Sequence, residues 1–141
     1  MADARTYSLH IQIFPAEDVP GQWLAHCLEF DVMSQGNDPQ HAVSMIREAV
    51  GIVLLDDLAK GFDPTRRCAP REDWDEMWAR LRRGRAQPLD EATRGTPDYI
   101  VFESLVTLTP VTLAELSAIG AGTAEPPPVT FTDPVAFARA A

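Results

Sequence analysis

Apolar and polar residues alternate along YSLHIQIF (7–14): Leu9, Ile11 and Ile13 share one face, and His10, Gln12 and Phe14 the other. A period of two is the mark of a strand with two distinct faces. PAEDVPG (15–21) interrupts it with prolines, a glycine and acids, and QWLAHCL (22–28) predicts a second strand, antiparallel to the first. Pairing positions whose numbers sum to about 36 sets Trp23, Ala25 and Cys27 over Ile13, Ile11 and Leu9, which gathers apolar residues on one face. EFD (29–31) makes a short turn into a third strand, VMSQG (32–36).

The period then becomes helical. Asp38 is a favourable N-cap, and Pro39 suits the first helical position, where its missing N–H costs nothing. From there to Lys60, residues Ala42, Ile46, Ala49, Val50 and Val53 form one stripe, widened by Val43, Leu54 and Leu58, and Lys60 with Gly61 fits a helix end. FDPTRRCAP (62–70) reads as loop. EDWDEMWARLRR (72–83) predicts a second amphipathic helix, with Trp74, Met77, Trp78 and Leu81 on one face, acids in its first turn and Arg80, Arg82 and Arg83 in its last. RAQPLDEATRGTP (85–97) reads as a polar linker and DYIVFESLVTL (98–108) as a further strand. TLAELSAI (112–119) predicts a short helix inside a Pro/Ala/Gly-rich tail, and no internal repeat is present. The expected class is α+β: a small antiparallel sheet in the order β-β-β-α-[inserted helix]-β over residues 1–108, with an irregular tail over 109–141.

Composition narrows the function. A chain of 141 residues, 45% of them hydrophobic, can bury a substantial core as one domain. Its 12 basic and 21 acidic residues leave a net charge of −9, which repels phosphate backbones and suits a basic protein partner. Residues 1–65 carry three basic and ten acidic residues, 66–97 eight and six, and 98–141 one and five, so the basic excess is a local island. No apolar run approaches the ~18–20 residues that span a bilayer, and the N-terminal stretch has no signal-like pattern. Cys27 and Cys68 lack CxxC spacing, which argues against a disulfide framework or a zinc ribbon. A cytoplasmic protein without a cofactor is the expectation.

The segment GQWLAHCLEFDVMSQGNDPQHAVSMIREAV (21–50) resembles the HicB-like antitoxin family. The resemblance rests on Gly21, Trp23, Ala25, Ser34, Gly36, Asp38, Ala42, Glu48 and Ala49, and covers about residues 7–61. It implies a partial RNase H-like fold: a three-stranded antiparallel sheet, a helix and a further strand, which 98–108 would supply. It also implies a non-catalytic bacterial antitoxin that occludes a small basic ribonuclease toxin. Two departures stand out. Roughly 36 residues, including the Trp-rich helix, separate the long helix from the late strand. A C-terminal DNA-binding segment, common in the family, is not evident, because residues 98–141 hold one basic residue, Arg139. DNA binding is therefore not favoured. The alternative is an orphan homo-oligomer, a dimer or tetramer, that assembles through the inserted helix and the tail.

Residues 24–36, LAHCLEFDVMSQG, look reactive, yet strand alternation sends His26 and Cys27 to opposite faces. Cys27 is expected in the core. His26 is expected to face outward near His10, where two histidines would need a third metal ligand that the strands do not offer. Glu29 and Asp31 read as turn residues or as an acidic rim for a basic partner. A two-metal nuclease, the remote alternative, needs carboxylates clustered on the sheet to bridge two divalent cations about 4 Å apart. The first strand has none, leaving Glu48 and Glu103. Arg80, Arg82, Arg83 and Arg85 read as the solvated end of a helix, whose Trp74/Met77/Trp78/Leu81 stripe would cover the second sheet face at Phe14, Leu24 and Leu28. Left uncovered, that face would be a dimer interface.

Overall fold

The alternating segment becomes β1 (Arg5–Pro15), an interior strand of an antiparallel sheet, in a computed structural model that describes residues 5–95, 97–108, 129–132 and 135–140. It is followed by β2 (Trp23–Cys27), β3 (Val32–Gly36), α1 (Pro39–Ala59), a 3-10 turn (Pro64–Arg67), α2 (Arg71–Arg83), β4 (Arg85–Pro88), α3 (Leu89–Arg94), β5 (Pro97–Leu108), β6 (Val129–Thr132) and β7 (Val135–Ala140). The sheet runs β3-β2-β1-β5-β7-β4, and β6 pairs with the far half of β5. The chain is α+β.

Three expectations need correction. Ile11 lies opposite Cys27 and Ile13 opposite Ala25, so the pairing of β1 with β2 is displaced by two residues. Ala16 N–H donates to Gln22 C=O at 2.8 Å, closing a tighter connection that sets Pro15 opposite Trp23. A shift of two leaves each side chain on its expected face. Residues 85–97 are not a linker: they form β4 and α3, and Leu89 and Ala92 enter the core. Residues 129–140 are not an irregular tail either, because β6 and β7 pair with β5, and Ala136 and Ala138 are buried. The short helix expected at 112–119 lies outside the described residues.

Helices cover both faces of the sheet. On one, Leu9, Ile11, Ile13, Ala25 and Cys27 meet Ala42, Ile46, Val50 and Leu54 of α1, with α3 beside it. Burying each large aliphatic side chain contributes about 1.5–3 kcal/mol, so this dry layer holds most of the fold's stabilisation. On the other face, Met77 of α2 joins Leu28, Ala69, Tyr99 and Val101, flanked by Phe14, Trp74 and Leu81. Trp74, Met77 and Leu81 thus supply the expected cover over Phe14 and Leu28, whereas Trp78 stays 40% exposed and Leu24 borders an open cleft. Between α1 and β5 the chain thus passes over both faces. β5 then runs antiparallel to β1, with Ile100 opposite Ile13 and Leu108 opposite Arg5.

The joint from β3 to α1 explains several residues of the opening motif. Asp38 Oδ1 accepts the His41 backbone N–H at 2.7 Å, capping the helix. A Cβ on Gly36 would lie 2.4 Å from Ala42 N and 2.8 Å from Ala42 Cα, so strand and helix backbones meet where only glycine fits. Gly21 turns the chain into β2 with φ +81. Trp23 packs partly buried opposite Gly36, Ala25 lies opposite Ser34, and Glu48 points outward from α1 beside half-buried Ala49. At the other end of α1, the buried carboxylate of Asp57 accepts a two-bond fork from Arg67 at 2.8 and 2.9 Å and a bond from Arg66 at 3.3 Å. These bonds hold the 3-10 turn against the helix. Among the described residues no helix is long and apolar enough to cross a membrane.

Candidate functional site

The outward-facing residues of the first two strands converge under and beside α2. On β1 these are His10, Gln12 and Phe14; on β2 they are Leu24 and His26. His10 is held from three sides. Its Nδ1 lies 2.7 Å from Glu29 Oε2, its backbone N–H donates to Glu29 Oε1 at 2.7 Å, and its ring meets Trp74 and Trp78 edge-on at 5.6 and 5.2 Å between centroids. The hydrogen bond to Glu29 raises the His10 pKa above 6.5; burial opposes this, and the charges of Glu29 and Glu103 add to it. Glu29 is thus turned inward, 16% exposed, and is not free to form an acidic rim.

His26 also has a carboxylate. It is 4% exposed on the side of the sheet that carries α2, and its Nε2 lies 2.8 Å from Asp31 Oδ1. The expected outward direction is right, but the ring is covered. Asp31 sits at φ +48, a left-handed conformation that aspartate tolerates better than most residues, and stays 41% exposed. Cys27 is buried on the opposite face, and burial pushes its thiol pKa up to about 12, which leaves no thiolate for nucleophilic attack.

The inserted helix adds residues that strand patterning did not bring here. Ala69 N–H donates to Leu28 C=O at 2.8 Å, anchoring the start of α2 to the end of β2. Four residues later, Asp73 places a carboxylate oxygen within 4.8 Å of ligand atoms on both His26 and Asp31. Two turns on, Arg80 departs from the solvated cluster expected of it. Its guanidinium donates to buried Gln12 Oε1 at 2.7 Å, pairs with Glu76 at 2.7 Å and stacks 4.6 Å from the Phe14 ring centroid. The Tyr99 hydroxyl donates to the Arg80 carbonyl at 2.8 Å. Arg82, Arg83 and Arg85 remain exposed.

These groups border an open cleft of about 640 Å³ beside α2. Its apolar lining includes Phe14, Leu24 and Met33. Among the described residues five carboxylates line it, those of Glu17, Asp18, Asp73, Glu76 and Asp98, against the single cation of Arg80. Met33 is 51% exposed on β3, which among the described residues pairs on one side only. Glu48 and Glu103 do not converge: Glu48 points outward from α1, while Glu103 shares the His10 side of the sheet, accepting a hydrogen bond from Ser8 Oγ at 2.7 Å. Comparison of the chain with protein-family models, curated proteins and solved structures gives no match.

Proposed function

We propose that the chain is a non-catalytic binding protein of HicB-like type that docks a small basic protein, a ribonuclease toxin, and occludes its RNA-binding surface. The observation that carries this reading is the cleft beside α2, where five carboxylates face one arginine around apolar Phe14, Leu24 and Met33. Such a surface steers a cationic partner and offers it an apolar centre to bury. In this reading β1, β2, β3, α1 and β5 make up a partial RNase H-like unit, and α2, β4, α3, β6 and β7 are additions to it. The order β-β-β-α and the tight Gly36–Ala42 joint support that assignment. The acidic rim consists of Glu17, Asp18, Asp73 and Glu76, with exposed Asp31 at its margin and Glu29 behind it. The proposal includes no DNA-binding role.

Co-expression with neighbouring reading frames tests the proposal. A small basic protein should co-purify, and its toxicity should be relieved. The double variant Glu17→Lys/Asp18→Lys should slow association by about tenfold or more at low salt, with a smaller effect at high salt. If no basic protein co-purifies and no toxicity is relieved, the antitoxin reading fails. A second reading, an orphan homo-oligomer, is favoured by one observation: among the described residues β3 pairs on one side only, which leaves an edge that a second copy could extend. Light scattering separates the two, because a stable monomer argues against the oligomer.

A further inference from the structure

We propose that His26, Asp31 and Asp73 bind one divalent transition-metal ion, Zn2+ by their chemistry, which ties α2 to the turn between β2 and β3. One ligand atom from each residue lies within 4.8 Å of the other two. Ions with bonds of about 2.0–2.2 Å hold tetrahedral ligands roughly 3.4 Å apart, so small side-chain rotations close the set. The three residues reach this point by independent routes: a strand delivers buried His26, a left-handed turn delivers Asp31, and the Ala69–Leu28 hydrogen bond sets the helix that delivers Asp73.

The hydrogen bond between His26 and Asp31 accounts for two of these residues but not for the third. Asp73 brings a second carboxylate toward Asp31, and among the described residues no basic side chain forms an ion pair with it. Two carboxylates this close repel unless a proton or a cation lies between them. Arg80, the cation lining the cleft, is occupied by Gln12 and Glu76. Glu17, Glu76 and Asp98 deepen the negative potential, which concentrates cations in the cleft. A neutral imidazole with two carboxylates balances a 2+ ion. The nitrogen donor and the small number of protein ligands favour Zn2+ over Mg2+ or Ca2+, which take more oxygen ligands. Asp31 and the cleft leave one side open, so water completes the coordination there. This inference shares Asp31 and Asp73 with the acidic rim proposed above, but its test concerns the chain alone and does not need the partner.

The full chain, stripped with a chelator, is titrated with Zn2+ by calorimetry, and its thermal midpoint is measured with and without the ion. One saturable site and a rise in midpoint are expected. Asp73→Asn and Asp31→Asn should each weaken binding at least tenfold, whereas Cys68→Ser, which removes the exposed thiol, should leave it unchanged. In chelator, Asp73→Asn should melt no lower than the parent chain because the repulsion is gone, and added Zn2+ should reverse that order. The site is overturned if no saturable binding is seen, if Asp73→Asn binds as tightly as the parent, or if Cys68→Ser abolishes binding. Mg2+ binding as tightly as Zn2+ would overturn the assignment of the ion.

Discussion

The two faces of the sheet are built by different chemistry. Under α1 the contacts are aliphatic and dry, and the strand residues Leu9, Ile11, Ile13, Ala25 and Cys27 are all fully buried. Under α2 the apolar patch is small, and around it lie two histidine–carboxylate pairs, a buried glutamine and an arginine that touches four of its neighbours. Hydrophobic burial is non-directional and tolerates exchange, whereas a polar network specifies geometry and is costly when half satisfied. The α1 face therefore determines that the chain folds, and the α2 face determines what the chain presents.

The sharpest break in this comparison lies at the joint of the dry face. Gly36→Ala drives a Cβ into the backbone of Ala42, which no side-chain rotation relieves. A loss of about 3 kcal/mol or more is expected, read as a collapse of the thermal midpoint or as insoluble expression. On the other face, Met77→Ala tests whether α2 is integral or merely draped on the sheet. Met77 is fully buried, so an integral helix predicts a loss of about 2–4 kcal/mol by chemical denaturation. A loss near zero would mean that α2 can leave without cost to the rest, and the contrast between the faces would become one between a fold and an appendage.

Smaller and more specific is the effect of pH through His10. Its folded pKa lies above the unfolded value of 6.5 because Glu29 holds the imidazolium. The resulting stabilisation is complete below about pH 6.5 and is lost as pH rises through the raised folded value. Glu29→Gln should cost about 1.5–3 kcal/mol at pH 6. It should cost less at pH 8, and the variant's stability should change less between those values than that of the parent. Denaturation midpoints at the two pH values check it, and equal losses at both would sink the assignment.

The difference between the faces also decides how much could be read from the sequence. The alternation of Leu9, Ile11 and Ile13 and the stripe from Ala42 to Leu58 are strong because large aliphatic residues mark one face repeatedly. Along β7, VAFARA, the buried positions are Ala136 and Ala138, so small residues carry the alternation and the segment reads as tail. β4 and β6, at four residues each, are too short for any period to show. The polar site was legible in its parts only. His26 and Asp31 stand out along the chain, but Asp73 joins them because α2 docks through Ala69, a contact between distant segments. Arg80 looks the same as Arg82 in the sequence. Only helix phase and the nearness of Gln12, 68 residues away, distinguish the partly buried hub from the exposed end.

The smallest effect expected has the opposite sign. Ser104 lies on β5 opposite Leu9, on the aliphatic side of the sheet, and is fully buried. Its hydroxyl has no hydrogen-bond partner among the described residues. A hydroxyl moved from water into such a layer without a partner carries a desolvation cost that its packing does not return. Ser104→Ala removes that cost and leaves a void smaller than a methyl group, so it should stabilise the chain by about 1 kcal/mol. Chemical denaturation reads the sign directly. A loss of comparable size would mean that the hydroxyl has a partner and that the α1 face is less dry than its neighbours make it.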